Sequence, residues 1–145
     1  MSDLNTLVQL LEKFRALQRR LEHLETLETP LVVPITSYAA ISTIVGWSSF
    51  SSKVIDYTRN GKIVYVLFYI DGVSDSVNTT VTLPYVQAGN WIQGTIRAQN
   101  NGTFSIGIFQ TAGTSTVTFS RDASGSNWTA SGTKGIYGEF FYITS

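Results

Sequence analysis

The chain has 145 residues, no cysteine, a single histidine, and ten basic against ten acidic side chains, so its formal net charge is zero. This composition excludes a disulfide framework and thiolate chemistry, and it lacks the basic excess that non-specific nucleic-acid or anionic-membrane binding requires. No apolar run reaches the ~20 residues of a membrane-spanning helix; the longest, Ile63 to Ile70, is strand-sized. The length suits one compact domain plus a helix.

The first element is predicted to be helical. Leu7, Leu10, Phe14, Leu17, Leu21 and Leu24 step by three and four and fill a and d positions of a heptad repeat. A stripe this narrow suits a coiled-coil seam better than a globular core face. The hexad Arg20-Leu21-Glu22-His23-Leu24-Glu25 puts Arg20 at g and Glu25 at e. Arg20 of one chain then reaches Glu25 of another while its methylenes cover the seam. The hexad resembles the short trimer-specifying motif of coiled coils, and Phe14 at an a position favours a core roomier than a dimer's. The expectation is a homotrimer held through Leu7, Leu10, Phe14, Leu17, Arg20, Leu21, Leu24 and Glu25; the competing reading is a helix packed on its own domain. His23 falls at an outer c position, where a solvated side chain is expected rather than a base or metal ligand.

Thr29-Pro30 ends the helix, because proline disfavours helical geometry in the residue before it. Nine of the twenty charged side chains precede Pro30, and the rest of the chain is rich in Ser, Thr, Gly, Asn and aromatics. The expected organisation is a stalk at 1–29, a connector at 30–37 and a head at 38–145. Met1-Ser2-Asp3-Leu4-Asn5 lacks the basic and apolar regions of a secretory signal.

The head reads as short strands. Residues 52–59 and 62–71 flank Asn60-Gly61, a type I′ hairpin pair. Residues 91–99 and 103–110 flank Asn100-Asn101-Gly102, and further strands are expected at 41–46, 77–83, 114–120 and 136–143. Strands joined by Gly, Ser, Asn and Asp turns predict a mainly-β antiparallel sandwich of jelly-roll type. Ile63 to Ile70 is apolar on both faces and Ile136 to Ile143 nearly so. One face of each lines the core, and the other needs a cover, which in a trimer is the neighbouring subunit.

The run Trp47, Val54-Ile55-Asp56-Tyr57-Thr58-Arg59-Asn60-Gly61-Lys62, the apolar strand, Asp71-Gly72-Val73-Ser74 and Val81-Thr82-Leu83-Pro84 resembles the head domains of bacteriophage fibre and receptor-binding proteins. The resemblance covers about a third of the head. It implies a homotrimeric virion protein made in the host cytoplasm, joined to other virion proteins through its stalk. It also implies that the head contacts a glycan or protein receptor on the host surface. A capsid head-fibre or decoration role is one alternative; a non-viral lectin-like or tumour-necrosis-factor-like trimer is another.

No catalytic constellation is present: no nucleophile elbow, no phosphate loop and no cofactor motif. A non-enzyme is therefore expected, the rival being a glycan-cleaving enzyme with a carboxylate pair, for which nothing selects Asp56 and Glu139. Asp71 and Asp75 flank a turn, and turn formation is favoured there over calcium binding. The Asn78, Asn101 and Asn127 glycosylation patterns are attributed to chance. For glycan binding the candidates are Trp128, whose indole suits a sugar face, with Asn127, Asp122 and Tyr85. The competing reading of Trp128 is a lid over the core. Trp47 and Trp91 are expected in the core or at subunit contacts.

Overall fold

The structure, a computed structural model, describes residues 2–27 and 33–145. The chain divides into two compact units, Met1–Val32 and Val33–Ser145.

The first unit contains helix α1 (Ser2–Leu27). Its side chains are described from Thr6 to His23 and all are exposed; Leu7, Leu10, Phe14, Leu17 and Leu21 are 57–67% accessible. A coiled coil requires side chains of one helix seated between those of another. Among the described residues there is only this helix, with its apolar stripe bare, so the expected coiled-coil stalk is corrected to a single amphipathic helix. The side chains of Leu24 and Glu25, and residues 28–32 at the stalk–connector boundary, lie outside the described residues.

The second unit holds nine strands: β1 (Thr36–Ser37), β2 (Ile44–Val45), β3 (Trp47–Asn60), β4 (Ile63–Ser74), β5 (Thr80–Thr82), β6 (Trp91–Asn100), β7 (Thr103–Ala112), β8 (Thr116–Ser120) and β9 (Thr133–Ile143). They form one sheet in the order β1-β3-β4-β9-β6-β7-β8-β5-β2, with every pairing antiparallel.

Turn chemistry sets the two tight hairpins. In β6–β7, Asn100 pairs with Thr103, and both Asn101 (φ 50°) and Gly102 (φ 78°) are left-handed, as a type I′ turn demands. In β3–β4, Asn60 already pairs with Ile63, so the central residues are Gly61 and Lys62. Only Gly61 of these two has positive φ (59°), which makes this a II′-type turn with glycine in first place. The I′ turn expected at Asn60-Gly61 is thus displaced by one residue.

The sheet curls strongly. β4 and β8 are four positions apart in the strand order, which in a flat sheet is about 19 Å. Yet the rings of Phe68 and Phe119 lie 5.1 Å apart, edge to face. Phe109 likewise stacks on Phe140 at 4.5 Å. The concave surface closes on itself around one core, giving a half-barrel. The expected two-sheet jelly-roll sandwich is corrected accordingly: the strands belong to one hydrogen-bonded sheet, continuous through the β6–β9 pairing.

β4 alternates strictly from Ile63 to Ile70, with Val64, Val66, Phe68 and Ile70 buried. β9 pairs with it over eleven residues, from Ile63↔Ile143 to Val73↔Thr133. It turns Lys134, Ile136, Phe140 and Tyr142 to the same inner face.

Candidate interaction surface and groove

Because side chains alternate across a strand, the apolar runs of β4 and β9 also populate the outer face. Ile63, Tyr65, Leu67 and Tyr69 of β4, with Phe141 and Ile143 of β9, are all between 36% and 69% accessible. Register places them side by side: Ile63 opposite Ile143, Tyr65 opposite Phe141, Tyr69 opposite Tyr137. The aromatic surface continues onto β6 and β7. Tyr69 and Tyr137 rings are 4.8 Å apart, and the Arg97 guanidinium lies over Phe104 at 4.0 Å and Tyr137 at 5.6 Å.

The few polar groups on this face engage one another. The Tyr65 hydroxyl donates to the Glu139 carboxylate, which holds the Tyr65 pKa above its ordinary value. Tyr137 donates to Gln99 Oε1 at 2.9 Å. Its pKa is pushed up to about 12, first by burial and then by the charge of Asp71.

Beside the outer face the sheet opens. β6 and β9 pair only from Arg97↔Tyr137 to Asn100↔Lys134. Beyond Tyr137 the strands diverge, and a groove of about 600 Å³ runs between them. Its far end is closed by the Gln87↔Thr144 bridge, where the Ala88 amide donates to the Ile143 carbonyl at 2.8 Å.

The inner face carries an unexpected charge. Lys134 is fully buried. Its ammonium donates to the carbonyls of Gly46 (2.9 Å) and Ser76 (2.8 Å) and to Thr79 Oγ1 (3.1 Å). It also lies 5.0 Å from the Trp47 ring and 5.5 Å from the Trp128 ring. Burial pulls its pKa down to about 8, opposed by the charge of Asp75. Gly46 makes the cage possible: its φ is 109°, and a Cβ there would meet the Asn78 carbonyl at 2.4 Å and the ammonium at 3.0 Å.

The predicted glycan-binding residues are placed as follows. Trp128 is 2% accessible; its indole donates to the Phe119 carbonyl at 3.2 Å and flanks Lys134, so it presents no face to a sugar. Asn127 beside it is exposed. The Asp122 carboxylate organises its own loop, accepting from the Ser124 hydroxyl (2.7 Å) and amide (3.1 Å) and the Ser126 amide (3.0 Å). Those bonds, the Ser124 hydroxyl first, hold its pKa well below the usual carboxylate range.

Tyr85 is elsewhere. It exchanges hydrogen bonds with the Tyr142 hydroxyl and lies under Arg59 at 4.4 Å. Tyr142 pairs with Val64, whereas Lys134 beside Trp128 pairs with Gly72. Eight residues of strand separate these positions, about 27 Å, so the four residues do not converge. Of the other two tryptophans, Trp47 is buried and Trp91 is 63% accessible.

Among the described residues no three His, Cys, Asp or Glu side chains cluster, at Asp71 and Asp75 or elsewhere. Nor is any described helix long and apolar enough to cross a membrane.

The sequence reading missed Lys134, though its signal was present. Counting by twos from Ile136, Phe140 and Tyr142 places Lys134 on the buried face. The groove had no local signal, because it depends on where two strands distant in sequence stop pairing.

No protein-family model and no curated protein matches the chain. The expected phage-fibre or receptor-binding identity, with its trimeric fibre and adhesion function, is corrected: no relative supports it, and the lone helix and single curled sheet replace the stalk and sandwich on which it rested.

Proposed function

We propose that this chain is a non-catalytic, self-associating binding protein whose outer sheet face is covered by further copies of itself. The observation that carries the reading is the contiguous aromatic and aliphatic surface on β4 and β9. Three aromatic side chains of about 150–250 Å² each and three smaller aliphatic ones, roughly half exposed, present on the order of 500 Å². Standard interfaces bury about 800 Å² per partner, and the adjoining Phe104 and Ile106, also exposed, extend the patch toward that size.

Three features favour a second copy as the occupant. The chain has zero formal net charge, so copies do not repel one another. The face carries both signs, Glu139 and Asp71 with Arg97 beside them, so it can complement itself. The terminal strands of the sheet, β1 and β2, are only two residues long, which limits edge-to-edge pairing through them. The non-catalytic reading draws on the titratable groups, which are engaged as structural contacts: Asp122 in its loop, Lys134 in its cage, Glu139 with Tyr65, Tyr142 with Tyr85.

Sedimentation equilibrium of the full chain tests this. The expected result is a multiple of the 16.0 kDa chain mass. Combining Leu67→Asp with Phe141→Asp should weaken association at least tenfold while leaving the circular dichroism spectrum intact. A wild-type monomer at every accessible concentration, or a double variant that assembles like the wild type, overturns the reading.

A further inference from the structure

The groove between β6 and β9 raises a separate question, because its walls are strand edges. Residues Gly138–Tyr142 of β9 are paired with β4 on one side, and Trp91–Ile96 of β6 with β7 on one side. Neither stretch has a strand partner across the gap. In a strand paired on one side only, every second residue turns its N–H and C=O away from that partner. Two rows of backbone donors and acceptors therefore face each other across about 600 Å³.

The floor of the groove is aromatic. Phe109 and Phe140 stack beneath it with an interplanar angle of 26°, and Phe109 occupies the space that a side chain at Gly94 would need. A Cβ there would lie 2.5 Å from the ring. The glycine thus lets the floor form and keeps the β6 wall low. Glu139 is the single charged residue lining the groove. Its carboxylate accepts the Tyr65 hydroxyl and retains further lone pairs for a donor.

We propose that this gap docks an extended peptide strand that carries apolar side chains at alternate positions and one basic residue. Backbone pairing with the two walls supplies the main-chain contacts of strand addition. β6 and β9 run antiparallel to each other, so an incoming strand pairs antiparallel with one and parallel with the other, both regular geometries. Alternate side chains then point down onto Phe109 and Phe140, and the basic residue meets Glu139. A small apolar molecule would fill the floor but leave both rows of backbone groups without partners, which is why a strand is the better occupant.

The test uses the isotope-labelled full chain and a blocked hexapeptide of alternating threonine and valine with one central lysine. The expected result is saturable binding in the millimolar range or tighter, with backbone amide shifts concentrated at Ile92–Ile96 and Gly138–Phe141. Glu139→Gln should weaken binding by up to about fivefold, the size of an exposed charge pair. The same peptide N-methylated at alternate amides should not bind. Three results overturn the proposal: no shifts at millimolar peptide, shifts confined to residues outside the groove walls, or equal binding of the N-methylated analogue.

Discussion

The two faces of β4 are built from the same kinds of residue and meet opposite fates. Val64, Val66, Phe68 and Ile70 are at most 4% accessible, whereas Ile63, Tyr65, Leu67 and Tyr69 are at least 36% accessible. Composition does not distinguish them; the curl of the sheet does. The concave face is covered by the sheet's own strands, with Phe68 against Phe119, and those strands leave the convex face uncovered. Apolar character on a strand therefore records that a surface is to be buried, and the fold decides whether the same chain does the burying.

The sharpest way to break this comparison is to truncate neighbours on opposite faces. Phe68→Ala should cost about 3–5 kcal/mol of unfolding free energy, the range for emptying a packed aromatic site. Leu67→Ala should cost about 1 kcal/mol or less in the dissociated chain, in line with a surface position, and act mainly on association. Urea melts at low concentration measure both. Equal losses would mean that the outer face is already packed within one chain.

Lys134 sharpens the account of the inner face, where it is the buried charge. Lys134→Ala should destabilise by about 2–4 kcal/mol, because it leaves the Gly46 and Ser76 carbonyls buried without donors. A smaller effect concerns pH. Burial lowers the Lys134 pKa from 10.5 to about 8, so above pH 8 the unfolded chain binds more protons than the folded one. Stability should therefore rise with pH from about 8. Tyr137 and Tyr142 act oppositely: both are held up to about 12 against an ordinary value of 10.0, chiefly by burial. Their contribution is complete below pH 10 and is lost as pH rises from there toward 12. A stability maximum near pH 10 follows. In Lys134→Met the rise from pH 8 should vanish while the alkaline fall persists. Chemical denaturation across pH 7–12 checks both limbs.

Much of the secondary structure was legible because it is local. The heptad spacing marks α1, and glycine-bearing turns bracket both long hairpins. The one-residue shift at Asn60-Gly61 shows the limit of that reading, since a glycine serves either turn type and register decides which position it takes. The tertiary arrangement was less legible. Whether nine strands make two sheets or one depends on β4–β9 and β6–β9 pairings between residues far apart in sequence, and no local pattern encodes them. Trp128 sits in a polar loop by sequence and in the core by structure, because its indole reaches back to the Phe119 carbonyl and the Lys134 ammonium. The coiled coil and the fibre resemblance rested on heptad spacing and hairpin grammar, features that a lone helix and a half-barrel also satisfy.

The most direct test of the central claim is hydroxyl-radical footprinting of the full chain across a concentration series. The account predicts that Tyr65, Leu67, Tyr69 and Phe141 become protected together as concentration rises, while exposed Trp91 on β6 keeps its reactivity. Labelling of those four side chains that stays unchanged from the most dilute to the most concentrated sample would contradict it.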